Sequence, residues 1–223
     1  MSAPASPTSR RRGVFFVLHT VKTTIPCESV PGNLDFRRLS SIAGIETDLR
    51  YASAQNFVGR DLYSPLDCAW LHRVAAHGLE TANAWLKTQR TDLRFLVLDA
   101  MRPQRVQEQL WQSLEGTGLQ MYLANPARGS IHSFGMAVDI TLIDERGSEL
   151  DMGTPFDDLT ALSHPAKEAE HLAEGILNNA QIANRQLLRD ALTQGGFSGI
   201  GTEWWHFDCG DRLKVRADFA RIL

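Results

Sequence analysis

The sequence predicts an α+β domain, a sheet flanked by helices, because it contains apolar segments of both the strand and the helix type. Three short segments have the composition or alternation of strands, at residues 93–98, 138–143 and 204–208. Three longer segments have helical spacing or helical composition, at residues 67–87, 104–114 and 166–194. A chain of 223 residues with 43% hydrophobic residues can bury one core of this kind.

The strand predictions rest on residue type and alternation. Val138–Ile143 alternates and is rich in β-branched residues, and Leu93–Leu98 is apolar except for Arg94. Trp204–Asp208 combines inward-facing aromatic residues with polar ones. We expect these segments to be strands of the sheet.

The helix predictions rest on the spacing of apolar residues. In residues 67–87 these are Trp70, Val74, Ala75, Leu79, Ala82 and Leu86, and in residues 104–114 they are Val106, Leu110, Trp111 and Leu114. The third helical segment is predicted in two pieces around Asn178–Asn179 and ends at Gly195–Gly196. The basic tail, residues 212–223, is predicted to be a surface helix.

Composition and charge limit the class of protein. The net charge of −3 is uneven: residues 1–27 carry four basic residues and no acid, so the remainder carries −3 − 4 = −7. An acidic body argues against a nucleic-acid partner. Because Ser, Pro and Ala dominate its start, we predict a flexible leader at residues 1–31, followed by a single catalytic domain at residues 32–223.

The compartment is predicted from cysteines and hydropathy. The three cysteines have no metal-type spacing, which favours a reducing compartment and hence the cytoplasm. No apolar run has the length of a membrane span. Val14–Leu18 follows three arginines and faintly resembles a signal peptide without a cleavage site, so export to the periplasm is the alternative. The oligomeric state is left open.

Two distant stretches, Ser130–Asp139 and Glu203–His206, carry the chemistry. His132, Asp139 and His206 are the residue types that hold a catalytic zinc ion through three protein ligands. A free carboxylate nearby, Glu203, is then the natural base for an activated water. Taken singly, each of these residues has an ordinary alternative as a surface or core group. Together they predict one zinc ion per chain.

Three further residues have ordinary structural explanations. Arg102 follows a buried strand and precedes Pro103, so it either pairs with Asp99 at a helix start or stabilises a developing oxyanion. Tyr51 fits a core aromatic residue whose hydroxyl bonds a backbone group. Asp157 ends an apolar stretch and could cap the helix that follows.

The pattern S-x-H-x-x-G-x-A-x-D followed by E-x-W-H resembles the zinc D,D-peptidases, which share a fold with the Hedgehog signalling domain. Other stretches resemble one branch, the D-alanyl-D-alanine dipeptidases of vancomycin-resistance clusters and their housekeeping relatives. They are Leu49–Ala52 with Asn56–Phe57, Asp99–Pro103, Asp151–Asp157 and Glu203–Phe207. The matches occur in the family's order from Asp48 to Phe207.

The resemblance implies a Hedgehog/DD-peptidase-like fold with a mainly antiparallel central sheet. It also implies zinc-dependent hydrolysis of a small partner, the dipeptide D-Ala-D-Ala. Within it, Arg102 would stabilise the oxyanion, Asp157 would hold the substrate ammonium, and Tyr51 and Ser130 would line the substrate site. The D-stereochemistry follows from the resemblance alone.

Two alternatives remain at this point. A D,D- or L,D-carboxypeptidase of the same fold would cut peptidoglycan stem peptides; the presence of Asp157 disfavours it. A zinc-stabilised binding domain without catalysis needs neither Glu203 nor Arg102. The chain departs from the best-known dipeptidases at Ile131, Phe134 and Met136, where we expect altered contacts to the dipeptide.

Overall fold

The computed structural model describes residues 23–223, which form nine strands and five α-helices. The strands are β1 (Thr24–Ile25), β2 (Phe36–Arg38), β3 (Ile45–Thr47), β4 (Trp70–His72), β5 (Arg94–Asp99), β6 (Ala137–Ile143), β7 (Phe197–Gly199), β8 (His206–Cys209) and β9 (Arg221–Ile222). The helices are α1 (Arg73–Gln89), α2 (Gln104–Ser113), α3 (Glu168–Ala173), α4 (Asn179–Gln194) and α5 (Arg212–Asp218).

A five-stranded sheet forms the centre, in the order β3-β5-β6-β8-β7. Only β3 and β5 are parallel; the other neighbours are antiparallel. The middle strand β6 is buried along its whole length, because its neighbours pair with both edges and other elements cover both faces. The predicted α+β class and the mainly antiparallel sheet are confirmed.

Helices α1 and α4 pack on one another and contribute to the main core. Leu79 and Leu86 of α1 and Leu188 and Leu192 of α4 are fully buried in the same cluster as the side chains of the sheet. Burial of one such side chain stabilises the fold by about 1.5–3 kcal/mol. This packing makes the sheet a rigid support for the side chains at its strand ends.

The helix predicted at residues 67–87 begins later than expected, at Arg73. Residues Trp70–His72 instead form β4, which pairs antiparallel with β2. Their alternating burial fits a strand as well as a helix, and the pairing with β2 decides between them. His72 caps α1 by accepting a hydrogen bond from the Val74 N–H, and Val74, expected in the core, is 48% exposed.

Both ends of the described chain differ from the prediction. The tail is not one helix, because α5 ends at Asp218 and β9 pairs in parallel with β1. The expected leader lies outside the described residues as far as residue 22. From Thr23 onward its residues belong to the fold, since Cys27 and Val30 are buried.

The remaining elements agree with the prediction. The helical segment at residues 166–194 divides into α3 and α4, and a capping box of Asn178 and Gln181 starts α4. Cys27, Cys68 and Cys209 are all buried and free. Among the described residues, no helix has the length and hydropathy of a membrane span.

Candidate active site

Three polar residues lie side by side on three adjacent strands. Asp139 of β6 is directly opposite Asp99 of β5 on one side and His206 of β8 on the other. Residues paired in this way have β-carbons about 5 Å apart, so their side chains can share one ligand. The register of the sheet therefore brings Asp139 and His206 together although 67 positions separate them.

A short loop brings His132 to the same place. It forms a 3-10 turn, Ile131–Phe134, that ends at Gly135 with a φ of 64°. The left-handed conformation favours glycine, and a β-carbon here would lie 2.9 Å from the backbone nitrogen of His72. The loop is further held by a hydrogen bond from the Arg102 N–H to the His132 carbonyl.

The three side chains converge on one point. The distance from His132 Nε2 to His206 Nδ1 is 3.2 Å, and Asp139 Oδ1 lies 3.3 Å from the first nitrogen and 2.9 Å from the second. Ligand atoms on a tetrahedral zinc ion lie roughly 3.3–3.5 Å apart, since each metal–ligand bond is about 2.0–2.2 Å. Two of the three distances come close to that spacing and the third is shorter, so the three atoms could hold such an ion.

The outer hydrogen bonds of the two imidazoles support the same conclusion. His132 Nδ1 donates to the Ala100 carbonyl at 2.7 Å, and His206 Nε2 donates to Asp208 Oδ1 at 2.9 Å. With those outer nitrogens bonded, the inner nitrogens, His132 Nε2 and His206 Nδ1, face each other and Asp139. Histidine ligands of metals are oriented by outer partners of this kind. His132, Asp139 and His206 could therefore hold a metal ion.

The charge state of Asp139 follows from its neighbours. Burial opposes its ionisation, but His132 and His206 outweigh burial and hold the pKa of the carboxyl well below its usual range. Arg102 adds a charged hydrogen bond of 3.1 Å to the other carboxylate oxygen. An ionised aspartate is the form that binds a metal ion.

Glu203 lies just before β8 and faces the same cavity. It is 9% exposed, and burial raises the pKa of its carboxyl to about 8, opposed by His206 and reinforced by Asp139. Its carboxylate is not one of the three converging groups. A buried carboxyl that is left out of the ligand set and has a pKa near neutrality has the properties of a proton carrier.

Arg102 forms the ion pair with Asp99 that its sequence position allowed, and it also faces the cavity. Its Nε and Nη2 donate to Asp99 Oδ2 at 2.8 and 2.6 Å, Nη2 also donates to Asp139, and Nη1 donates to Gln107. Those bonds use four of its five N–H groups among the described residues. One Nη1 proton is left, and Arg102 lines the cavity.

Asp157 and Tyr51 lie together at another wall of the cavity. The Tyr51 hydroxyl donates to Asp157 Oδ1 at 3.0 Å, and the Phe57 N–H points to Oδ2 at 3.4 Å. Asn56 fixes that N–H, because its amide bridges the carbonyls of its own loop. Tyr51 thus bonds a carboxylate rather than the backbone, and Asp157, not Asp158, lines the cavity.

Asp157 has a strained backbone conformation and a carboxyl with a raised pKa. Its φ is 63°, a left-handed conformation that a non-glycine residue adopts at a cost of about 1–3 kcal/mol. Burial, reinforced by Asp139, raises its pKa to about 7. Strained residues with shifted pKa values concentrate at functional sites, which argues against Asp157 as a simple helix cap.

The loop residues that depart from the dipeptidase pattern face mainly inward. Phe134 and Met136 are buried in the core, whereas Ile131 and the neighbouring Ser130 line the cavity. The expected change in dipeptide contacts therefore applies to Ile131. It stays a prediction.

Asp208 belongs to the site although sequence analysis did not select it. Its carboxylate receives the His206 Nε2 proton and is itself bound by Arg212. Alternate residues of a strand face the same side, so the spacing of two from His206 to Asp208 is the signal that could have identified it.

The cavity that these residues share has a volume of about 350 Å³, within the range of small-molecule sites. Tyr122 and His164 come from different loops and are joined by a hydrogen bond of 2.9 Å. Tyr122 lines the cavity, and its bond to His164 helps to hold it there.

Comparisons with known proteins agree with the geometry. A model of peptidase family M15, described as D-ala-D-ala dipeptidase, matches residues 33–222. A D-alanyl-D-alanine dipeptidase of Escherichia coli K12 is 39% identical over 164 residues, covering 74% of this chain and 78% of the relative. Relatives of the same name from Enterococcus faecium and Streptomyces coelicolor are each 30% identical, covering 74% of this chain and 86% of the relative.

Proposed function

The chain belongs to peptidase family M15, the D-Ala-D-Ala dipeptidases, and from this premise we propose that it hydrolyses D-alanyl-D-alanine at the site described above. The observation that carries the proposal is the triangle of His132, Asp139 and His206, whose three possible ligand atoms lie close together. Membership of the family indicates the substrate, and the triangle indicates where the amide bond of that substrate is attacked.

We propose zinc as the metal, one ion per chain, held by His132, Asp139 and His206. The nitrogen and oxygen donors and the short distances between them support zinc over calcium or magnesium, which prefer six or more oxygen ligands. A zinc ion held there would polarise a carbonyl and would lower the pKa of a water molecule from ~15.7 to ~7.

Glu203 is the proton carrier in this proposal. Its carboxylate removes a proton from the attacking water and delivers it to the leaving amine. The raised pKa of about 8 supports the role, because a carboxyl that is buried and unpaired holds a proton more tightly than one in water. General base groups of this kind contribute roughly 10²–10⁴-fold to rates.

Arg102 stabilises the negative charge that develops on the carbonyl oxygen. Its guanidinium is fixed by Asp99 and Gln107, so the remaining Nη1 proton is oriented before the substrate arrives. Donors arranged in advance are commonly worth about 3–4 kcal/mol in barrier height. The same guanidinium orients Asp139 through its second carboxylate oxygen.

Asp157 selects the length of the substrate. Its carboxylate, held by Tyr51 and the Phe57 N–H, binds the free ammonium of a dipeptide. A longer peptide carries a neutral amide at that position and loses the ion pair. Ser130, next to the metal loop in the cavity wall, contributes a hydroxyl to the substrate site.

The test is release of D-alanine from D-Ala-D-Ala by purified protein of known metal content. We expect turnover with about one zinc per chain, loss of turnover with a chelator and recovery when zinc is restored. A peptidoglycan stem pentapeptide serves as the competing substrate. Cleavage of the pentapeptide without cleavage of the free dipeptide would show a carboxypeptidase instead.

A further inference from the structure

The cavity contains a group of arginines that the proposed chemistry does not use. Arg128, Arg212 and Arg216 line it together with the metal-binding triangle. Arg128 comes from the loop before Ser130, and the other two come from α5. Neither the attack on the amide nor the capture of an ammonium requires these three cations.

Arg212 already has a partner. It binds Asp208, whose other oxygen receives the proton of His206. Its charge therefore balances a carboxylate that orients a metal-binding residue, and Arg212 belongs to the support of the metal site.

Arg128 and Arg216 have no such partner. At the cavity, Arg102 pairs with Asp99 and Asp139, and Arg212 pairs with Asp208. No carboxylate of residues 23–223 forms an ion pair with Arg128 or Arg216, and residues 1–22 contain no aspartate or glutamate. The sequence before the described part of the chain therefore cannot supply a side-chain counter-ion.

The side chain of Arg216 is held in place by contacts with two backbone carbonyl groups. Its Nε donates to the Gly129 carbonyl at 3.0 Å, and its Nη1 contacts the Arg212 carbonyl at 3.3 Å. The first bond fixes the guanidinium beside the residue that precedes Ser130. Burial lowers the pKa of Arg216, and Arg128 lowers it further. An anion between the two guanidinium groups would relieve that repulsion.

The positive group and Asp157 occupy separate parts of the cavity wall. The charges that act most on Arg216 are those of Arg128, Asp208, Arg212 and Arg221, whereas the pKa of Asp157 responds to Asp139 and Arg102. Asp157 is held by the segment around Tyr51 and Phe57, and Arg216 is held by the loop at Gly129. The cavity thus has a carboxylate for an ammonium and, elsewhere, paired cations for an anion.

We propose that Arg128 and Arg216 bind the free C-terminal carboxylate of the substrate, an inference that rests on the proposed dipeptidase function. A dipeptide carries an ammonium at one end and a carboxylate at the other, which matches the two charged regions of the wall. The scissile amide then lies between them. The enzyme requires both free ends, and substrates whose C-terminus is an amide or ester are poor.

The experiment compares D-Ala-D-Ala with D-alanyl-D-alaninamide, at enzyme concentrations that make both rates measurable. The wild-type chain, Arg128→Ala, Arg216→Ala and Arg216→Lys are assayed, with zinc content and thermal unfolding measured for each. Arg90→Ala is the matched control, because Arg90 is an arginine paired with Asp92 outside the cavity.

The wild-type chain and the control should prefer the acid by about tenfold to a hundredfold in kcat/KM, the usual effect of one charged hydrogen-bonded pair. Arg128→Ala and Arg216→Ala should lose most of that preference, because kcat/KM falls much more for the acid than for the amide, whose carbonyl oxygen forms only a neutral-acceptor hydrogen bond. Arg216→Lys should keep part of it. If Arg216→Ala fails to fold, the proposal is tested with Arg216→Lys and Arg128→Ala. Arg128 is exposed, so its replacement should not disturb folding.

An acid-to-amide ratio that is the same in the wild-type chain and the folded variants overturns the carboxylate site. A wild-type chain loaded with zinc that cleaves neither compound contradicts the proposed function instead. The two failures are therefore distinct.

Discussion

The surroundings of four carboxylates at the cavity shift their pKa values in opposite directions, two downward and two upward. Asp139 and Asp208 are buried, but His206 and nearby cations outweigh burial and lower their pKa values, that of Asp208 to about 2. Burial dominates for Glu203 and Asp157 and raises theirs to about 8 and about 7. Environments that separate pKa values in this way assign roles: the first pair stays charged, and Glu203 can exchange a proton near neutrality.

Replacing Asp157 by Asn should stabilise the metal-free protein while impairing catalysis. A carboxyl with a raised folded-state pKa penalises folding as the pH rises above its unfolded value near 4, and the penalty is complete above about 7. The gain in the free energy of unfolding should be on the order of 2–4 kcal/mol at pH 8 and smaller at pH 5. Urea unfolding at the two pH values measures it.

The same variant should lower kcat/KM for D-Ala-D-Ala by about tenfold to a hundredfold, mainly through KM, because the ammonium loses its ion pair. Asp158→Asn is the control, since Asp158 does not line the cavity. Equal effects of both substitutions would remove Asp157 from the substrate site.

At the scale of elements, the sequence predicted where strands lie better than it predicted which strands pair with one another. The alternation in β6 and the apolar run of β5 are local signals, and both strands were found. The start of α1 was misplaced, because the strand at Trp70–His72 exists only through its pairing with β2. Pairing between distant segments has no local signature, and the register that sets Asp139 opposite His206 could not be derived for the same reason.

In the candidate site, too, local motifs identified some residues, and contacts between distant segments identified the others. The three candidate metal ligands and Glu203 were selected from motif spacing, and only the structure shows that the ligand atoms of the first three lie close together. Asp208 was missed because its function depends on which nitrogen of His206 faces the metal. Arg128 and Arg216 were missed because they reach the cavity from a loop and a helix that no motif connects.

Gly135→Ala should test the loop that carries His132. We expect it to destabilise the protein by more than Gly147→Ala does, and to weaken zinc binding. Both positions have positive φ, but a β-carbon at Gly147 meets nothing within 4 Å, whereas one at Gly135 lies 2.9 Å from His72 N. Gly147→Ala thus isolates the conformational cost of about 1 kcal/mol.

Chemical unfolding and zinc titration of the two variants provide the measurement. Similar losses of stability, with zinc affinity unaffected in both, would show that the loop tolerates displacement at Gly135.

At the scale of the whole molecule, the site is assembled from segments that span most of the chain. Strands β5, β6 and β8, the loop at residues 130–135 and the segment at residues 50–57 each supply a wall or a ligand. The N-terminal part of the described chain closes the structure by pairing β1 with β9. Helix α5 and β9 both contact the turn that carries His132, so the two ends of the described chain support this side of the site.

A chain that starts at Gly32 should therefore be less stable than the full chain. It loses the β1–β9 pairing and the buried side chains of Cys27 and Val30, and the burial of Val30 alone is worth about 1.5–3 kcal/mol. Thermal unfolding of both chains at equal zinc concentration gives the difference. Identical unfolding curves would restore the predicted domain start at residue 32.

The zinc content and the turnover of Glu203→Gln, measured on one preparation, test the central claim most directly. The claim is that three residues hold the metal and a fourth, separate from them, moves the proton. Glu203→Gln should keep about one zinc per chain and lose about 10²–10⁴-fold in kcat for D-Ala-D-Ala. His206→Ala should lose both zinc and turnover. Undiminished hydrolysis by the zinc-loaded Glu203→Gln variant, or loss of its zinc, would contradict the account.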